Sequence, residues 1–107
     1  MNNLQQLMQM SQKLQSKMSE LQEGLEEKEV SASAGGGMVT ATADGKGKVK
    51  RVEIDPTVVD PEDVEMLEDL ALAAISEAQT KAKKVYDEEM KKATGGLPLP
   101  FQIPGLS

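Results

Sequence analysis

The chain has no cysteine and no histidine among its 107 residues. Without cysteine there is no disulfide, no thiolate metal site and no thiol nucleophile, and a reducing compartment is permitted. Without histidine the commonest general base near neutral pH is missing, as is the commonest transition-metal ligand. Tryptophan is absent too, and there is one Tyr and one Phe. The large rings that fill most cores are nearly gone, so Leu, Ala and seven Met must do the packing. A chain this short buries a modest fraction of its surface, and a core built of small residues is thin. That combination favours a homo-oligomer in which two thin cores share one interior. No apolar run approaches membrane-spanning length. The N-terminus, MNNLQQLMQMSQ, has no basic region followed by an apolar core. The expected location is cytoplasmic, with no membrane partner.

What is present divides into three parts. Residues 4–28 carry Leu4, Leu7, Leu14, Met18, Leu21 and Leu25 at spacings of three, four and seven, with Ser11 at the one polar seam position. This is a narrow heptad stripe, suited to a helix packed along one partner. The pattern changes to alternation at residue 30. Val30, Ala32 and Ala34 form one apolar row; Val39, Ala41 and Ala43 form a second; Val52 and Ile54 form a third. Gly35-Gly36-Gly37 and Asp44-Gly45-Lys46-Gly47 punctuate the rows, and Asp-Gly suits a hairpin turn. The reading is a three-stranded antiparallel meander over residues 30–55, too small to stand without a layer against it. Asp60 as N-cap and Pro61 in the first turn then predict a helix over residues 61–93. Its first half is apolar on more than one side. The excess predicts a subunit interface through Val64, Leu67, Leu70, Ala71, Ala74, Ile75 and Ala78, with part of the sheet. Residues 1–94 make one domain. Residues 95–107, with three prolines and no charged side chain, make a flexible or extended Pro/Gly-rich tail.

Nothing in this arrangement resembles a catalytic centre. The triple glycine lacks the spacing and the following helix of a phosphate loop. The acid run of residues 60–69 lacks the glycine and closing glutamate of a calcium loop. No two carboxylates are paired beside an apolar pocket. No enzyme, no metal and no cofactor is expected.

Charge carries more information. The net charge is −6, which alone argues against a polyanionic partner. The distribution is uneven. Residues 20–29 and 60–69 are strongly acidic, whereas residues 1–19 hold two lysines and no acid, and residues 81–92 hold five lysines. If the two helices leave the sheet side by side, the acidic ends meet at the sheet and the basic ends meet at the arm tips. Lys13, Lys17, Lys81, Lys84, Lys91 and Lys92 are then the candidate phosphate contacts. The lysine-bearing segments contain no Arg to read guanine, and the single Tyr86 is a poor basis for base stacking, so duplex backbone contact is the expected mode. The alternative is an adaptor that grips a replication or recombination protein, favoured by the Leu-rich first helix and the apolar tail.

The ordered set Gly35-Gly36-Gly37-Met38-Val39, Gly45-Lys46-Gly47 and Val49 through Pro56 (VKRVEIDP) resembles the YbaB/EbfC family of nucleoid-associated proteins. The resemblance continues through residues 60–70 (DPEDVEMLEDL), Ala73-Ala74, Lys81-Ala82 and Thr94-Gly95-Gly96-Leu97. It implies an α+β fold with an α-β-β-β-α protomer: a small three-stranded antiparallel sheet with two long antiparallel helical arms. It further implies a tweezer-like homodimer that binds duplex DNA with little sequence preference, organises the nucleoid and regulates genes.

Overall fold

The computed structural model describes residues 2–93. Helix α1 spans Asn2–Glu27, strands β1, β2 and β3 span Val30–Ala34, Val39–Ala43 and Val49–Ile54, and helix α2 spans Val64–Ala93. The expected order of helix, three strands and helix is therefore the observed one. The strands form an antiparallel meander in the order β1-β2-β3. Val30, Ala32 and Ala34 lie opposite Ala43, Ala41 and Val39, and Val39 and Ala41 lie opposite Ile54 and Val52. Directly opposed residues share a face, so all three alternating rows fall on one side of the sheet. A bulge at Thr42/Ala43 interrupts the second pairing. The reverse face is a hydroxyl ladder: Ser31 Oγ and Thr42 Oγ1 are 2.9 Å apart, and Ser33 Oγ and Thr40 Oγ1 are 2.8 Å apart.

Helix α2 lies across the apolar face, over β1 and β2. Ala74, Ala78 and Ala82, spaced one turn apart, are fully buried against Ala32, Val39, Ala41 and Ala43. Small residues on both sides let the helix sit close to the sheet. The core is accordingly thin: six of the nine buried apolar residues among those described are alanine. The strand β3 is left uncovered. Val52 and Ile54 belong to the same face as the core rows, yet remain 37% and 40% exposed.

The connection from β3 to α2 differs from expectation in its details. A 3₁₀ turn, η1, spans Pro56–Val58; Asp55 caps it by accepting from Thr57 N at 2.9 Å, and Val58 tucks into the core. Helix α2 starts at Val64, three residues after the expected start. Asp60 closes a preceding turn by accepting from Glu62 N, and Asp63 takes the N-cap role by accepting from Met66 N at 3.2 Å. Asp63 wins because its carboxylate stands three residues before that N–H, the spacing of an N-cap bond. The expectations for residues 95–107 lie outside the described residues.

The protomer is elongated, with extents of 73 × 26 × 17 Å. At about 1.5 Å per residue, α1 is about 39 Å long and α2 about 45 Å. Both exceed the shorter dimensions, so both run along the long axis. Helix α1 points away from the sheet: every residue from 3 to 17 is exposed, whereas Leu25 at the root is buried.

Candidate nucleic-acid interface

The direction of α2 decides where the charges go. A meander of three strands is odd, so the chain enters β1 and leaves β3 at opposite ends of the sheet. Val30 pairs with Ala43 at one end, and Val39 pairs with Ile54 at the other. Helix α2 therefore begins at the far end from α1 and must run back over the sheet to bury its apolar side. Leu70 sits over Gly35 in the first turn, Gln79 Nε2 donates to Gly47 O at 3.0 Å, and Lys28 Nζ meets Glu89 Oε1 at 2.9 Å. The helices are antiparallel where they meet, but they meet through their last turns.

This corrects the expected charge layout. The two acidic segments, 20–29 and 60–69, do not lie together; they are at opposite ends of the sheet. The lysine-rich segment 81–92 begins over the sheet and runs out beside the acidic root of α1. The expectation assumed that both helices project from one end, which an odd number of strands forbids.

The root of α1 is fixed by several contacts. Gly45 N donates to Leu25 O at 2.8 Å, and Lys50 Nζ donates to Glu26 O at 3.0 Å. A cation at the carbonyl end of a helix is favoured by the helix dipole. Lys46 pairs with Glu26 at 3.2 Å, and Arg51 binds Glu29 through two hydrogen bonds of 3.1 and 3.2 Å. The turn that supplies Lys46 is held by Asp44, which is buried and accepts from Lys46 N and Lys48 N at 2.8 and 3.0 Å. A Cβ on Gly45 would stand 2.8 Å from Leu25 Cδ2 and 2.9 Å from Leu25 O, so only glycine permits this approach. The Glu29 carboxyl is held below the ordinary range, first by the hydrogen bond from Arg51 and then by its charge. Glu89 is likewise lowered, first by its hydrogen bond with Lys28.

The expected phosphate contacts separate into groups. Lys13 and Lys17 stand exposed on the projecting part of α1, and Lys84 is exposed on α2. None of the three has an ion-pair or hydrogen-bond partner among the described residues. Lys81 instead donates to Ser31 O at 3.1 Å and so blocks the open edge of β1. Lys92 pairs with Glu89 at 3.6 Å, and Lys91 is exposed on the last turn. Lys48 and Lys83, absent from the expected set, are also exposed, and their side-chain ammonium groups have no such partner among the described residues. Lys83 joins Lys46, Gln79, Tyr86 and Asp87 around a shallow depression beside Gly45 and Gly47. The period of the helix pattern could have placed Lys83 beside the β2–β3 turn, where Lys46 lies, once the direction of α2 was known.

The expected interface residues also separate. Ala74 and Ala78 are covered by the protomer's own sheet, and Leu67, Leu70 and Ile75 are partly buried against the same core. Val64 is 52% exposed. Counting back from Gln79, the residue that reaches toward Gly47, Ile75, Ala71 and Val64 fall on the same side of α2. That side borders the uncovered strand β3. On β3 itself, Val52 and Ile54 are apolar and 37% and 40% exposed.

Residues 1–97 match the YbaB/EbfC DNA-binding family. The chain belongs to that family. A nucleoid-associated protein of Alkaliphilus metalliredigens is 51% identical over 104 residues, covering 97% of this chain and 88% of the relative. A nucleoid-associated protein of Paramagnetospirillum magneticum is 52% identical over 106 residues, covering 97% and 99%. The crystal structure of an uncharacterized protein from Helicobacter pylori superposes with a TM-score of 0.76, covering 85% of this chain and 96% of that one. At 21% identity it speaks to the fold alone. This YbaB/EbfC chain has no helix, among its described residues, long and apolar enough to cross a membrane.

Proposed function

We propose that this YbaB/EbfC chain works as a homodimer that holds duplex DNA by its phosphate backbone, with little sequence preference, and thereby organises the nucleoid and influences gene expression. One observation carries the reading. The lysines without acidic partners on α1, on the β2–β3 turn and on the second half of α2 all lie toward the end of the sheet from which α1 projects. The densest acidic segment, residues 60–69, lies toward the other end. A molecule of net charge −6 is thus polarised, and a polyanion is attracted to one end and repelled from the other. Lys13, Lys17 and Lys84 are the leading phosphate contacts, and Lys48 and Lys83 are further ones. Lys92 is available as well, because an exposed pair such as Lys92–Glu89 contributes roughly 0–1 kcal/mol and yields to a phosphate. Lys91 completes the set on the last turn.

The dimer reading rests on the apolar side chains left open beside β3. Val52, Ile54 and Val64 are 37–52% exposed, and the protomer's core is made largely of alanine. A second copy seated on β3 would bury this apolar surface and enlarge that core. It would also duplicate the projecting arm, giving two arms for one duplex.

The test is binding of the Lys13→Gln/Lys17→Gln/Lys84→Gln variant to several unrelated duplexes. Weakening by a similar factor on every sequence supports backbone contact. Unchanged affinity rejects these contacts, and a loss confined to one sequence rejects non-specific readout.

A further inference from the structure

A hollow of about 370 Å³ opens between the β2–β3 turn and the root of α1, lined by Glu26, Asp44, Lys46, Lys48 and Lys50. Three lysines thus border one depression on a chain of net charge −6.

The bulge in β3 helps to assemble them. Thr42 pairs with Arg51 and Ala43 with Val49, so Lys50 is the extra residue on β3. In unbroken register Lys50 would stand opposite Ala43, in the row of Val52 and Ala41 on the apolar face. The bulge gives that place to Val49 and leaves Lys50 free to reach the end of α1, where its Nζ donates to Glu26 O at 3.0 Å. Re-aiming a side chain is a common use of a bulge. Lys46 and Lys48 are positioned by the turn. Their backbone N–H groups both donate to the buried Asp44 carboxylate, and Asp44 N donates to Lys48 O at 2.9 Å.

The hollow already contains an oxyanion. Glu26 Oε1 stands 3.2 Å from Lys46 Nζ, and the side chains are 57% and 38% exposed, so the pair is weak. The Lys48 ammonium has no partner among the described residues. The turn lies at the end of the sheet from which α1 projects, the end already favoured for a polyanion.

We infer that this hollow seats a backbone phosphate of duplex DNA on Lys46 and Lys48, with Lys50 beside it, and that the Glu26 carboxylate is the internal competitor which the phosphate displaces. The inference rests on the DNA reading above and adds to it a defined seat and a built-in opponent. Glu26 engages Lys46 alone, whereas a phosphate between the two lysines gains charge-assisted hydrogen bonds from both. Once the carboxylate swings out, Asp44 is the one acid left against three lysines. Lys50 binds the backbone carbonyl of Glu26, not its side chain, so the root of α1 stays fixed during the exchange.

The test is duplex affinity at one low salt concentration, with Glu26→Gln and Glu27→Gln each made in the wild type and in Lys46→Gln. Glu27 is the neighbouring acid; it is exposed, and its carboxylate has no partner among the described residues. The two changes remove the same charge from almost the same place. In the wild type Glu26→Gln should tighten binding about two- to fivefold more than Glu27→Gln, the effect of releasing one exposed ion pair. In Lys46→Gln that advantage should vanish. Equal gains in the wild type would overturn the inference, as would an advantage that survives Lys46→Gln. Amide signals of Lys46 and Lys48 in the full-length wild type give a second reading, and they should shift as duplex is added. Binding without those shifts would overturn the seat and leave DNA binding by the other lysines standing, whereas no binding to any duplex would reject both. Shifts with inorganic phosphate at equal ionic strength, but not with duplex, would assign the hollow to a free oxyanion and overturn the inference.

Discussion

Gly45→Ala tests whether the arm is aimed by its root. Gly45 is buried where the β2–β3 turn meets the end of α1. Its φ is not in the left-handed region, so alanine is acceptable to the backbone itself. The obstacle is contact. The new methyl would stand 2.8 Å from Leu25 Cδ2, 2.9 Å from Leu25 O and 3.2 Å from Leu25 Cα. A side chain could rotate away, but a carbonyl oxygen and a Cα belong to the helix backbone and move only with it. The turn and the helix must therefore separate. Overpacking of this kind costs about 1–3 kcal/mol, and loss of the Gly45–Leu25 hydrogen bond adds roughly 0.5–1.5 kcal/mol. The expected destabilisation is about 2–4 kcal/mol, or a fall in Tm of roughly 10–25 °C for a domain of this size. Thermal unfolding followed by circular dichroism at one fixed protein concentration is the assay, because association would make Tm depend on concentration. Gly24→Ala is the control. Nothing stands within 4 Å of its Cβ, and Gly24 is helical, so the change should stabilise by up to about 1 kcal/mol. If Gly45→Ala unfolds at the wild-type temperature, the close contact does not hold the arm, and the account of its fixed direction is wrong.

Three further outcomes are expected. Ala78→Leu should lower stability by about 1–3 kcal/mol, because a buried alanine facing the sheet leaves no room for three extra carbons; denaturant unfolding reads this directly, and an unchanged midpoint would show that α2 is not closely packed. Ile54→Asp should convert the proposed dimer to a monomer in sedimentation while leaving the far-ultraviolet spectrum intact, since Ile54 is 40% exposed in the protomer; an unchanged mass would place the seam elsewhere. Glu29, Asp55 and Glu89 have lowered pKa values caused by hydrogen bonds from Arg51, from Thr57 and from Lys28. A carboxylate with a lowered folded pKa contributes stability above the ordinary carboxylate range and loses it as pH falls through the folded value. Stability should thus decline as the pH drops below that range, and Arg51→Ala should flatten part of the decline in acid unfolding curves.

Much of the fold was legible because the alternation of small apolar residues from Val30 to Ile54 fixes both strand identity and facing. A slip of one residue would turn Val39 and Ala41 outward and Thr40 and Thr42 inward. The narrow stripe on α1 was equally plain. The meeting of the helices is not legible in the charge runs, although the strand count holds the answer: three strands carry the chain to the opposite end. Charge runs alone could not show that Lys28 reaches Glu89 or that Lys81 is used on the β1 edge. Those pairings depend on where α2 crosses the sheet. The N-cap moved from Asp60 to Asp63 because five acids stand within residues 60–68, and any of several could close the first turn. Ala74 and Ala78 read as partner-facing in the sequence because their apolar character looks the same whether a sheet or a second subunit covers them.

The central claim is that lysines on one side of an acidic protein hold the phosphate backbone of DNA. Its most direct test is the slope of log affinity against log salt, compared between the wild type and the Lys13→Gln/Lys17→Gln/Lys84→Gln variant on one duplex. Each phosphate contact contributes about 0.9 to the slope, so removing three lysines from each of two protomers should reduce its magnitude by roughly 5. A monomer would lose about half as much. An equal slope in the two proteins would contradict the account, whatever their affinities at a single salt concentration.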